Sequence, residues 1–161
     1  MILNVVILVL VTLQRLGELW LSKRNTGRLL ARGAREHAPG HYPLIVAVHT
    51  AWLLVLWLLA PFRPIDGFWL AMFVAIEILR IWVLASLGPR WTTRIIVVPD
   101  ATLVRRGPYR FINHPNYLVV VSEILVLPLV FGLWQVALIF TLLNAAILTI
   151  RIRAENAALG R

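Results

Sequence analysis

The chain contains no cysteine, which excludes disulfides, thiolate zinc sites and a cysteine nucleophile and leaves the redox compartment unread. It has no Gly-x-Gly-x-x-Gly and no phosphate loop, so a dinucleotide or triphosphate held at a glycine-rich helix start is not expected. Internal repeats and low-complexity linkers are also missing, which favours one domain over residues 1–161. Charge is sparse and one-sided: 14% of residues are charged, sixteen basic against seven acidic. The start, Met1-Ile2-Leu3-Asn4, lacks a basic leader, and its apolar run meets Gln14, Arg15 and Glu18 without a small-residue cleavage pattern. It reads as a retained span.

What is abundant is apolar surface. With 60% hydrophobic residues and a mean hydropathy of +0.83, the chain is too apolar for a water-soluble domain of this size. A bilayer-spanning helix takes about 20 apolar residues. Three runs meet that length: Ile2 to Leu21, Pro43 to Ala60 and Phe68 to Leu87. A fourth, Leu118 to Ile150, is too long for one span and holds Pro128 and Gly132 near its middle. It splits into two slightly short spans forming a tight hairpin at Phe131-Gly132. The expectation is an all-α integral membrane protein of five transmembrane helices, with three N-terminal helices in residues 1–87 and a loop plus helical hairpin in 88–161.

Basic residues fall in short clusters between these runs, which argues against a nucleic-acid-binding domain and for positive-inside topology. Lys23, Arg24, Arg28, Arg32 and Arg35 crowd the first loop, Arg90, Arg94, Arg105, Arg106 and Arg110 the third, and Arg151, Arg153 and Arg161 the C-terminal end. The second loop offers only Arg63 and Asp66. This pattern places the N-terminus outside and the C-terminus in the cytoplasm, with a bacterial inner membrane as the simplest setting.

Two features stand out as a candidate site. One is the polar and aromatic stretch Gly107-Pro108-Tyr109-Arg110-Phe111-Ile112-Asn113-His114-Pro115-Asn116-Tyr117. The other is the last helix, where Thr141, Asn144, Arg151 and Glu155 recur at spacings of three, seven and four and make one polar stripe. The topology brings both to one membrane face. Arg151 and Glu155 are the candidate catalytic pair, and Asn144 and Glu123 are candidate substrate contacts. Glu123 has no basic residue within a turn of its own helix, so its partner comes from another helix or a ligand. Arg15 with Glu18, and Glu77 with Arg80, are expected as intrahelical ion pairs. Ile95 to Val98 reads as a short extended piece. No metal site is expected: Pro39-Gly40 interrupts the helix that would align His37 and His41, and loop positions are expected for these two and His49. The tryptophans, among them Trp20, Trp52, Trp57, Trp69 and Trp91, read as an interface belt.

The blocks Leu103-Val104-Arg105-Arg106-Gly107-Pro108-Tyr109, His114-Pro115-Asn116-Tyr117 and Arg151-Ile152-Arg153-Ala154-Glu155, in this order over roughly residues 80 to 160, resemble the isoprenylcysteine carboxyl methyltransferase family. The resemblance implies methyl transfer from S-adenosylmethionine to a lipophilic acceptor taken from the bilayer. Carried over by position, the cofactor contacts fall on Arg94, Ala101, Thr102, Leu103, Val104, Tyr109, His114, Pro115, Asn116, Tyr117 and Glu155, and the acceptor-side arginine on Arg151. The pattern departs from the family's at Asn113, Val119 and Asn156. The resemblance allows a prenylcysteine carboxyl, or the hydroxyl of a long-chain alkylpyrone or phenolic lipid, as acceptor. The readings weighed against it are an N-methyltransferase of amine lipids, which a cation at Arg151 disfavours, and a non-catalytic scaffold or transporter subunit.

Overall fold

A computed structural model describes residues 1–99 and 104–158. Five helices carry the fold: α1 (Ile2–Leu30), α2 (Tyr42–Leu59), α3 (Gly67–Leu87), α4 (Pro115–Val130) and α5 (Trp134–Ala158). Four are long and apolar enough to cross a membrane, and α4, at 16 residues, is shorter. Many large apolar side chains, such as Leu58, Ile78, Ile81 and Leu142, point away from the bundle. Water would not tolerate so much contiguous apolar surface; lipid tails do, and the protein is an integral membrane protein.

The helix boundaries differ from the sequence reading in two respects. α1 runs 29 residues, about 43 Å at 1.5 Å per residue, so Lys23, Arg24 and Arg28 extend the helix beyond the roughly 30 Å hydrocarbon layer instead of forming a loop. Lysine and arginine are good helix formers, and nothing before Gly33 stops them. The last hairpin is also uneven, since α4 is short but α5 spans 25 residues.

The hairpin turns where the sequence indicates. Gly132 takes φ of 66°, its amide bonds Leu129 O at 3.0 Å, and the Leu133 amide bonds Pro128 O at 2.9 Å. This paired capping needs a left-handed residue after the helix, which glycine adopts without a Cβ clash. At the start of α3, Asp66 caps by accepting from the Phe68 and Trp69 amides at 2.9 and 3.2 Å.

Hydrogen bonds define the two ends of the bundle. At one, Asn4 Nδ2 donates to Ala60 O and Arg63 O, both at 2.8 Å, and the Asp66 amide bonds Val130 O at 2.9 Å. At the other, β1 (Arg35–Glu36) pairs antiparallel with β2 (Ile96–Val97). The short extended piece near Ile95 is therefore a strand, and among the described residues this small sheet is the one addition to an otherwise helical fold. The basic clusters lie at this second end.

The core joins Leu8, Trp52, Leu56, Val83, Val119, Ile124, Leu127 and Phe131. Trp52 and Trp91, expected in an interface belt, are 1% and 3% exposed and belong to the interior. Within the apolar bundle sits a cluster of charges. Arg80 donates to both carboxylate oxygens of Glu18 and to Glu123, and Arg15 donates to Glu123 at 2.7 Å and to Glu18 at 3.4 Å. The expected Arg15 and Glu18 contact exists. Arg80 turns across helices to Glu18 and Glu123 rather than to Glu77, whose carboxyl faces Glu123 and Gln14. Interhelical pairing wins because two carboxylates on facing helices fill the planar donor fork better than one neighbour a turn away.

Candidate functional site

The segment joining α3 to α4 lies across the second end of the bundle and is fixed by α1. Ser22, Asn25 and Leu29 continue the buried face of α1 beyond Glu18. Asn25 Nδ2 donates to Trp91 O at 2.9 Å, and Ser22 Oγ accepts from the Thr93 amide at 2.8 Å. Tyr42 Oη adds a hydrogen bond to Thr93 Oγ1 at 3.1 Å. Further along, Arg106 Nε donates to Ser86 O at 2.7 Å. Gly107, at φ of 57°, comes so close to α3 that an added Cβ would lie 2.0 Å from Ser86 Oγ.

The segment encloses a cavity of about 640 Å³ lined by Arg94, Ile95, Val98, Val104, Tyr109, His114, Asn116, Tyr117, Arg151 and Glu155, among others. The structure thus brings together around one cavity Arg94, Val104, Tyr109, His114, Asn116, Tyr117, Arg151 and Glu155 from the sequence reading. Pro115 is buried in the first turn of α4, where its ring fixes the entering backbone. Ala101, Thr102 and Leu103 lie outside the described residues.

Tyr117 is the centre of the polar wall. Arg151 Nε donates to its hydroxyl at 2.8 Å, and the hydroxyl donates to Glu155 Oε2. Arg151 and Glu155 share one helix face as the spacing indicates, yet they communicate through this phenol and not by direct contact. His114 stacks on the Tyr117 ring with centroids 5.3 Å apart. Its Nε2 donates to Asn156 Oδ1 at 3.2 Å, and its Nδ1 lies 3.8 Å from Glu155 Oε2. Burial, and then the charges of Glu155 and Tyr117, push the Tyr109 phenol well above its ordinary value, so it is a neutral hydroxyl at physiological pH. On the opposite wall, Arg94 Nη1 donates to both oxygens of Glu36 at 2.9 and 3.1 Å and lies 4.6 Å from the Tyr42 ring centroid.

A second cavity of about 380 Å³ lies between α1, α2 and α5. Its lining is mostly apolar, with Leu16, Leu19, Ile45, Val46, Leu53, Trp57 and Ile147, but includes Arg15, His49 and Asn144. His49 sits inside α2, not in a loop, and its Nδ1 donates to Ile45 O at 2.8 Å. Trp91, Asn116, Tyr117 and Arg151 line both cavities, so the two spaces share a wall. Glu123 lines neither; it is fully buried in the charge cluster. Sequence reading missed Glu36, Trp91 and His49. Only long-range pairing brings Glu36 to Arg94, and no local spacing signals it.

A helical membrane bundle with one cavity at its end and a more apolar one within the helices, lined in part by the same residues, offers a candidate small-molecule site. Residues 69–161 match the isoprenylcysteine carboxyl methyltransferase (ICMT) family. The chain belongs to that family, and the family is one of membrane methyltransferases. It is 38% identical over 159 residues, covering 95% of this chain and 94% of the relative, to "Uncharacterized protein YpbQ" of Bacillus subtilis (strain 168). It is 24% identical over 152 residues, covering 91% of this chain and 88% of the relative, to an "Uncharacterized protein" of Haemophilus influenzae. No solved structure matches it significantly.

Proposed function

We propose that this protein is an S-adenosylmethionine-dependent O-methyltransferase acting on the carboxyl or hydroxyl group of a lipophilic acceptor at the cytosolic face of a bacterial inner membrane. The observation that carries the reading is the shared wall, where Tyr117 links Arg151 to Glu155 between a polar and an apolar cavity.

The larger cavity suits the cofactor. Its volume falls within the roughly 300 to 1,000 Å³ of small-molecule sites, and its donor set answers the cofactor's groups. The Glu155 carboxylate accepts charge-assisted hydrogen bonds from an ammonium or from hydroxyls. Asn116 and His114 supply further hydrogen-bonding groups. Tyr109 and Tyr117 offer aromatic faces to adenine or to a sulfonium, an attraction of about 0.5 to 2 kcal/mol. Val104, Ile95 and Arg94 also belong to the described lining, and Pro115 and Ala101 to Leu103 remain contacts assigned by the family resemblance alone. When bound, the cofactor supplies an electrophilic methyl group on sulfur.

The chain's task is then to hold an acceptor oxygen in line with that methyl, which makes positioning the main source of rate. Arg151, fixed through its Nε by Tyr117, presents the rest of its fork to the acceptor and favours the anion. The apolar cavity receives the tail from the bilayer. Arg151 would hold the acceptor oxygen as its anion, a hydroxyl's proton having gone to water, and Glu155 with Tyr117 would hold the group that supplies the methyl. A carboxylate or enolate needs no base. An ammonium acceptor is disfavoured beside Arg151.

The test is transfer of a labelled methyl from S-adenosylmethionine into an organic-soluble product, using purified protein and a bacterial lipid extract. Wild type should label the organic phase. Arg151→Ala should lower the rate about a hundredfold, the scale of losing one charge-assisted contact to a reacting oxygen, with cofactor affinity retained. Unlabelled lipid with wild type, or full activity in Arg151→Ala, contradicts the proposal.

A further inference from the structure

The connection between α1 and α2 reaches the larger cavity through one ion pair. Pairing of β1 with β2 sets Glu36 opposite Ile96, and the His37 amide continues the ladder to Ile95 O at 2.9 Å. Arg94 is then the diagonal neighbour of Glu36 on the same face, a separation that long side chains bridge. They meet: Arg94 Nη1 donates to both Glu36 oxygens at 2.9 and 3.1 Å. The Tyr42 ring, 4.6 Å from the Arg94 guanidinium carbon, adds a cation–π contact to the same group. The Tyr42 hydroxyl is itself held by Thr93 Oγ1 at 3.1 Å.

Two features separate this arrangement from an ordinary surface ion pair. Arg94 lines the cavity and Glu36 does not, so the carboxylate acts on the ligand space only through the arginine. Among the described residues the Arg94 guanidinium has no other hydrogen-bond partner, which leaves Nε and Nη2 to donate to an oxygen in that space. The second feature is charge. Arg90, Arg94, Arg105, Arg110 and Arg151 belong to the described lining, and Glu155 is its one carboxylate. A methyl donor that carries a sulfonium and an ammonium against a single carboxylate is repelled by such a wall. Glu36 offsets one of those charges at its source, as Glu155 does for Arg151 through Tyr117.

We infer that Glu36 is a positioning residue for the methyl donor, fixing the Arg94 guanidinium at the cavity and offsetting its charge. Glu36 lies outside residues 69–161, which match the family, so the N-terminal part of the chain contributes to the cofactor site instead of only spanning the membrane. The inference rests on the methyltransferase reading.

The test is calorimetric titration of S-adenosylmethionine into the full chain in detergent, comparing wild type, Glu36→Gln, Arg94→Ala and the double variant. The Arg94 side chain is 41% exposed, so solvent screening limits what the pair contributes. Glu36→Gln should accordingly weaken binding roughly threefold to tenfold. In the Arg94→Ala background the same change should have no further effect, because a residue acting only through Arg94 has nothing left to act on. Equal affinity in wild type and Glu36→Gln overturns the inference. So does an equal loss in both backgrounds, which is what a merely structural role of the strand pair produces. If wild type takes up no S-adenosylmethionine, the methyltransferase reading falls and this inference with it, whereas binding that is indifferent to Glu36 removes this inference alone.

Discussion

At the scale of single residues, the site turns on one hydroxyl. The Tyr117 phenol accepts from Arg151 and donates to Glu155, so it holds the candidate acceptor-side cation and the candidate cofactor-side anion at a fixed separation. Tyr117→Phe keeps the ring that stacks on His114 and removes only this link. We expect a folded protein whose methyl-transfer rate falls roughly tenfold to a hundredfold, the effect of losing one to two hydrogen bonds to charged groups; steady-state kinetics on the purified variant checks it, and an unchanged rate would make the link ornamental. Arg151, Glu155 and the His-Pro-Asn-Tyr stretch were legible because their spacing and their polarity beside apolar runs are local signals. That Tyr117 mediates between Arg151 and Glu155 was not, since i and i+4 charges ordinarily meet directly.

At the scale of elements, the hairpin of α4 and α5 is readable from Pro128 and Gly132 near the middle of an apolar run too long for one span, with Gly132 taking the left-handed turn that ends α4. The reach of α1 is not, because hydropathy falls at the first charges while the helix continues through them to Leu30. That continuation matters for function: it places Ser22 and Asn25 under the segment that covers the larger cavity. The β1 and β2 pairing joins residues about sixty positions apart, and two-residue strands leave no periodic trace. The covering segment is also fixed at Gly107, where a Cβ would collide with Ser86. Gly107→Ala should therefore displace the segment while leaving the helices intact, weakening cofactor affinity by roughly tenfold or more through strain of order 1 to 3 kcal/mol. Calorimetric titration with circular dichroism on the same sample reads both effects, and unaltered affinity would detach this contact from the site.

At the scale of the molecule, five charged or carboxyl side chains, Arg15, Glu18, Glu77, Arg80 and Glu123, tie α1, α3 and α4 together inside the apolar bundle. The sequence marked each as costly and so as paired or functional, but only the packed bundle assigns the partners. Arg80→Leu leaves Glu18 and Glu123 with Arg15 alone, and breaking such a buried network costs about 3 to 5 kcal/mol. Detergent-solubilised variant should melt well below wild type, and an equal melting temperature would mean that Arg15 and protonation compensate fully. The cluster holds the helices that frame both cavities, so the whole account converges on whether the larger cavity binds the methyl donor. The most direct measurement is calorimetric titration of S-adenosylmethionine into purified wild type and Glu155→Ala. The account predicts saturable binding by wild type, weakened about tenfold or more in the variant as a charged hydrogen-bond partner is lost. A folded wild type that takes up no cofactor, or a Glu155→Ala variant that binds it equally well, would contradict it.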